Sequence, residues 1–129
     1  NELKQIALRL GSDVPFFIDN KPAFATGRGE CLTPFPLSLS ACHIEIVKPD
    51  FSISTFEAYA SVTPAPKAHS LKELLQAPIE EWKHLIINDF EAPLFQKYPQ
   101  LADIKQSFYE RGARYASLSG SGSAVYGLF

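Results

Sequence analysis

Methionine is absent from this 129-residue chain, tryptophan occurs once, and cysteine only twice. Two cysteines, Cys31 and Cys42, are too few for the disulfide framework that staples small secreted domains. They read as free, buried thiols, which suits a reducing cytoplasm. Neither sign of charge is in excess, with 12 Lys and Arg against 14 Asp and Glu and a net charge of -2. That balance excludes the polycationic footprint of a nucleic-acid binder and leaves no basic patch for a membrane surface. No apolar run approaches the roughly 18–20 residues that a bilayer-crossing helix needs. The polar start, Asn1-Glu2-Leu3-Lys4-Gln5, is unlike a signal peptide. His43, His69 and His84 lie far apart, with no metal-ligand spacing and no cysteine near enough for a zinc site, so they read as surface residues and no protein-held metal is expected. There is no internal repeat and no low-complexity tract.

What is present is globular: 46% of residues are hydrophobic and 20% charged, a composition able to build a core. The length suits one ordinary domain, or a small domain plus a piece of another. The absence of methionine, the start at Asn1, and an apolar run that reaches Phe129 together lead us to expect a parent chain extending at both ends.

Residues 1–10 carry Leu3, Ile6, Ala7 and Leu10 at helical spacing, and Gly11 is a natural stop. Val14-Pro15-Phe16-Phe17-Ile18 reads as an apolar strand, with a turn at Asp19-Asn20. Residues 22–26 and 31–35 read as short strands joined by a Gly27-Arg28-Gly29-Glu30 hairpin connection. The Pro- and Ser-rich stretch 34–40 is a connector, placing a domain boundary near residue 41. Beyond it, His43–Lys48 alternates as a half-buried strand. Ser54 or Thr55 caps a short helix through Tyr59 and Val62. Ser70 and Glu73 form a capping-box pattern, and Pro78 separates that helix from one carrying Ile79, Trp82, Leu85 and Ile86. Asn88-Asp89-Phe90-Glu91 opens another helix, in which Asp89 and Glu91 read as helix N-terminal charges and Phe90, like Trp82, as core. A helix over residues 100–111 ends at Gly112. Strands at Tyr115–Leu118 and Ala124–Phe129 flank a Ser119-Gly120-Ser121-Gly122-Ser123 loop. The order β, several helices, β, β is that of an α+β domain with helices on an antiparallel sheet.

Three constellations can carry chemistry. In Leu10-Gly11-Ser12-Asp13-Val14-Pro15-Phe16-Phe17 a carboxylate sits beside an apolar run. It serves either as a turn residue or as a group at a cleft mouth that orients or deprotonates a substrate hydroxyl during phosphoryl transfer. In Leu118-Ser119-Gly120-Ser121-Gly122-Ser123-Ala124-Val125 the glycines permit a backbone nest for an anion, and the hydroxyls add donors. The alternative is a plain hairpin turn. The loop lacks the spacing and the lysine of a Walker A motif, and a strand follows it where a dinucleotide-binding fingerprint needs a helix. In Lys48-Pro49-Asp50-Phe51-Ser52-Ile53-Ser54-Thr55, with Tyr59 beyond, Thr55 and Tyr59 share one helix face. A hydroxyl beside an exposed ring suits a heterocycle, whereas a core tyrosine is the plainer alternative. Arg28 is either a phosphate contact or a solvated hairpin residue.

Taken in order, these segments together with Ala25-Thr26-Gly27-Arg28-Gly29-Glu30, Val47-Lys48-Pro49, Ser54-Thr55-Phe56-Glu57-Ala58-Tyr59 and Asn88-Asp89-Phe90-Glu91 resemble the second half of a small-molecule kinase of the GHMP superfamily. The closest resemblance is to the branch that acts on a cytidyl-methylerythritol. It covers nearly the whole chain and is weakest over residues 61–87.

The resemblance implies that residues 1–40 are the end of an N-terminal βαβ-type kinase domain. Residues 41–129 would be most of a ferredoxin-like C-terminal domain, with the active site in a cleft between the two. It also implies that Asp13 is the catalytic aspartate, that Thr55 and Tyr59 line a cytidine pocket, and that Gly120, Ser121, Gly122 and Ser123 pack beside phosphates. The cofactor implied is ATP, with Mg2+ accompanying it, and the partner is a small-molecule substrate. The superfamily's ATP-phosphate loop and catalytic lysine would precede Asn1, so the isolated chain is expected not to turn over, and its first 40 residues to be loosely held or self-associating. Another GHMP kinase, or a non-catalytic ligand-binding domain of the same fold, remains the alternative. Nothing in the sequence sets the oligomeric state.

Overall fold

The structure, a computed structural model, describes residues 2–129 and divides into two compact units, one running to Ala41 and the other spanning Cys42–Phe129. Asn1, counted into the first helix by the sequence reading, lies outside the described residues.

The first unit opens with α1, Glu2–Leu10, with Glu2 in its first turn and Arg9 in its last, each sign where the helix dipole favours it. The expected strand over Val14–Ile18 does not form. The chain instead turns at Gly11–Val14 and enters a short helix, α2, at Phe16–Asp19. Pro15 decides the outcome. Its φ of -58° and ψ of -28° are already helical, and a run of four or five apolar residues does not by itself distinguish strand from helix. Asn20 closes α2 in the left-handed region, with φ 46°. The hairpin forms as expected: β1, Ala23–Thr26, pairs antiparallel with β2, Cys31–Pro34, with Thr26 opposite Cys31.

The second unit is a three-stranded antiparallel sheet of β3 (Ile44–Val47), β4 (Tyr115–Leu118) and β5 (Val125–Leu128), in the order β3-β5-β4. Between β3 and β4 run α3 (Thr55–Ala60), α4 (Leu71–Leu74), a 3-10 turn at Ile79–Glu81 that continues into α5 (Trp82–Leu85), α6 (Glu91–Lys97) and α7 (Pro99–Glu110). This β-helices-β-β order, with β3 beside the second strand of the hairpin, is the ferredoxin-like pattern within an α+β fold. The capping box closes as read, since Ser70 Oγ accepts the Glu73 N–H and Glu73 accepts the Ser70 N–H. Gly112, with φ 97°, ends α7.

On one side of the sheet Ala116, Leu118 and Val125 cluster with Leu94, Leu101 and Phe108. Each of the leucine, valine and phenylalanine side chains contributes about 1.5–3 kcal/mol through apolar burial. Phe108 lies so close to β5 that a β-carbon on Gly127 would come within 2.8 Å of its ring, so any larger residue there must displace the ring. On the other side Tyr115 meets Trp82 and Tyr126 edge to face. The Trp82 indole N–H donates to the Ala77 carbonyl at 2.8 Å.

The two thiols are free, as read, but not buried: Cys31 is exposed and Cys42 half-buried. Cys31 sits at the start of β2 on a two-stranded hairpin, and Cys42 near the start of edge strand β3, where the Arg114 Nη1 reaches its Sγ at 3.7 Å. His43, His69 and His84 are exposed. Among the described residues no helix is long and apolar enough to cross a membrane.

Candidate active site

In the first unit, Asp13 stands in the turn between α1 and α2. The Val14 N–H donates to the Gly11 carbonyl and the Phe16 N–H to the Asp13 carbonyl, each at 3.2 Å. The backbone is thereby held while the carboxylate stays exposed. The carboxylate lies directly over the hairpin loop at Gly29, where φ is 110° and any β-carbon would collide with Asp13 Oδ1. The neighbouring Glu30 carboxylate is tied into the loop by the Arg28 N–H at 2.5 Å. Backbone N–H groups, its own first and then that of Arg28, hold its pKa below the usual carboxylate value. Asp13 thus sits at the rim of a shallow recess of about 210 Å³, floored by Phe16, Phe17, Ala25 and Leu32. Arg28 is exposed, the solvated position that the sequence left open.

In the second unit, α3 presents Thr55 and Tyr59 on one exposed face. Ser54 is the cap: its Oγ accepts the Glu57 N–H at 3.1 Å. The opposite face is pinned. Ala58 is fully buried, and Glu57 accepts from Lys97 at 2.7 Å and from the Tyr98 hydroxyl at 2.7 Å. The Lys97 and then the Tyr98 bonds lower the Glu57 pKa, and the same carboxylate raises that of Tyr98. Tyr59 is 63% exposed and rests edge-on against Phe90, with centroids 5.0 Å apart. It is therefore not the core tyrosine of the alternative reading.

The glycine-rich loop joins β4 to β5 through positive-φ residues Gly120 and Gly122. The Ser119 N–H donates to the Ala124 carbonyl at 2.8 Å and the Gly122 N–H to Ser119 at 3.0 Å. The Ser123 hydroxyl, read as one of three free donors, is buried and donates to the Phe51 carbonyl at 2.7 Å. Lys48 Nζ donates to that same carbonyl at 2.8 Å. The hydroxyls left on the open side are those of Ser119 and Ser121.

Glu91 stands in the first turn of α6, the helix N-terminal charge expected from the sequence, but it is only 5% exposed. It accepts the Leu118 N–H at 2.9 Å and the Ser117 hydroxyl at 3.0 Å, and pairs with Lys105 at 2.6 Å. A buried carboxylate persists only with such partners. Asp89 does stay at the surface, where it pairs with Lys67. Asn88 Nδ2 donates to the Leu118 carbonyl at 3.0 Å and the Gly120 carbonyl at 2.8 Å. The structure therefore connects the α3 ring and the glycine-rich loop through Asn88–Glu91, a link that spacing along the chain could not show. Chemically, the second unit offers a ring for stacking and a glycine-rich loop with the Ser119 and Ser121 hydroxyls, and the first offers a carboxylate beside an apolar recess.

The chain is similar in sequence and in fold to known proteins. Residues 70–129 match the family described as GHMP kinases C terminal. Over 129 residues the chain is 50% identical to a 4-diphosphocytidyl-2-C-methyl-D-erythritol kinase of Parabacteroides distasonis, covering all of this chain and 48% of that protein. It is 48% identical over 129 residues to the protein of the same name in Bacteroides thetaiotaomicron, again covering all of this chain and 47% of the relative. A crystal structure of a 4-(cytidine 5'-diphospho)-2C-methyl-D-erythritol kinase superposes with a TM-score of 0.82 at 31% identity, over 98% of this chain and 47% of that one. The chain spans about half the length of the curated relatives it matches. Residues 70–129 thus resemble the C-terminal domain of GHMP kinases, and the chain as a whole is similar to about half of a kinase that carries that domain.

Proposed function

We propose that this chain works, as part of a longer enzyme, in the ATP-dependent phosphorylation of a hydroxyl of 4-diphosphocytidyl-2-C-methyl-D-erythritol, a step of non-mevalonate isoprenoid precursor synthesis in the cytoplasm. One observation carries the reading: similarity to kinases of that name runs unbroken over all 129 residues at 48–50% identity. In this reading residues 1–40 close the N-terminal kinase domain and residues 41–129 form the C-terminal one.

The roles are those that the resemblance implies, and the geometry of each unit supports them. Asp13, exposed at the rim of an apolar recess, orients the substrate hydroxyl and takes its proton. Thr55 and the exposed Tyr59 ring hold the cytidine, the ring by stacking on the base. Gly120 to Ser123 place backbone and Ser121 donors beside phosphate oxygens, with Ser123 bracing the loop through Phe51. ATP, when bound, supplies the phosphoryl group. Its phosphate loop is expected outside these residues. Mg2+ is expected to accompany the nucleotide and to neutralise phosphate charge. Positioning and electrostatics of this kind are most of what phosphoryl transfer asks of a protein.

The test is ATP consumption by the full-length protein given the cytidyl substrate or, separately, mevalonate, homoserine or galactose. Turnover with the cytidyl substrate alone is expected. Turnover with another of these keeps the kinase and moves the substrate. No turnover with any favours a ligand-binding domain. Asp13→Asn should lower turnover at least about a hundredfold with an unchanged melting temperature, and near-normal turnover would remove Asp13 from its role.

A further inference from the structure

The free edge of β4 is covered by side chains in place of another strand. The Tyr109 hydroxyl takes the Ala116 N–H at 3.1 Å and donates to the Ala116 carbonyl at 3.2 Å. One step nearer the loop, Glu91 takes the Leu118 N–H and Asn88 donates to the Leu118 carbonyl. Both outward backbone groups of the residue that leads into the glycine-rich loop are thus held by one tetrapeptide.

The Asn88 amide has only one workable orientation. Its Oδ1 accepts the Phe90 N–H at 3.0 Å, which turns the NH2 toward Leu118 and, at 2.8 Å, toward Gly120 inside the loop. Between Asn88 and Glu91 lies Phe90, whose ring abuts Tyr59. Glu91 is nearly fully buried and charge-paired with Lys105, so this anchor does not move easily.

We propose that Asn88, Phe90 and Glu91 are positioning residues, and that this short segment sets the glycine-rich loop at one end and the Tyr59 ring at the other. Asn88 and Glu91 act through the loop, and Phe90 acts through the ring. The inference rests on the reading above, in which loop and ring meet the phosphate and cytidine ends of one substrate. Because the two ends are served by different residues, they can be damaged separately.

The experiment uses the full-length protein. Asn88→Asp keeps the acceptor for the Phe90 N–H but removes both donors. It should lower kcat about tenfold while KM for the cytidyl substrate stays within about threefold, and should speed hydrogen exchange across residues 119–123. Phe90→Leu should do the reverse, raising that KM about fivefold with kcat and loop exchange little changed. Glu91→Leu should speed exchange at Leu118, and Glu91→Gln, which keeps an acceptor, should restore it. A merely structural role would shift both kinetic constants alike in every variant, and that result would overturn the proposal. So would wild-type loop exchange in a folded Asn88→Asp protein. If the unaltered enzyme does not use the cytidyl substrate, the functional reading falls on its own, and loop exchange then decides the clamp: faster exchange in Asn88→Asp keeps it, and unchanged exchange removes it.

Discussion

The two units spend their apolar residues differently. In the second, Phe108, Leu94, Leu101, Leu118 and Val125 are all but fully buried. In the first, the stripe read from Leu3, Ile6, Ala7 and Leu10 buries only Ala7, and Leu10 and Phe17 are 78% and 70% exposed. Both units nonetheless form their helices and hairpins. Local signals are enough to shape an element, whereas a core needs extensive facing surfaces, and residues 2–41 offer only two short helices and a two-stranded hairpin. Periodicity says which face asks for cover and is silent on what supplies it.

Paired substitutions test that contrast most strongly. Phe108→Ala should cost about 3–5 kcal/mol in denaturant unfolding of this chain, whereas Leu10→Ala should stay within about 0.5 kcal/mol. Equal losses would mean that the first unit buries Leu10 in solution. Gly127→Ala should cost about 1–3 kcal/mol, because the added carbon must displace the buried Phe108 ring. An unchanged midpoint would mean that the ring can yield.

The smallest effect is alkaline. All five tyrosines lie in the second unit. Burial raises the hydroxyl pKa of Tyr109, Tyr115 and Tyr126, most strongly for Tyr115. A folded pKa above the unfolded value of 10.0 gives stability that is complete below pH 10 and lost as the pH climbs toward the raised values. Lys97, raised by its hydrogen bond to Glu57, acts with the same sign above the ordinary lysine value of 10.5. Denaturation of the second unit, followed through Trp82 fluorescence, should therefore ease progressively above about pH 10. A flat profile there would contradict burial of the tyrosines.

Much of the candidate site was legible in the chain. The capping hydroxyl at Ser54, the positive-φ glycines of the loop, and the shared face of Thr55 and Tyr59 are all short-range geometry. Three features were not. Val14–Ile18 carries no periodicity, and Pro15 turned it helical. Glu91 was legible as a helix N-terminal charge, but not as a buried one, because its burial depends on Leu118 and Ser117, 27 and 26 residues away. Ser123 looked like a free donor until Phe51, 72 residues upstream, was placed against it.

By itself, then, the chain determined where helices start and stop, where the hairpins turn and which side chains share a helix face, because those depend on hydrogen bonds and dihedrals within a few residues. Its likeness to a kinase family lay in the same short segments. Only the tertiary structure decided that Tyr59 stays open against Phe90, that Glu91 is buried, and that Asn88 holds the loop. Each of those depends on a backbone or side-chain group brought close from a distant part of the chain, and no local preference encodes the partner.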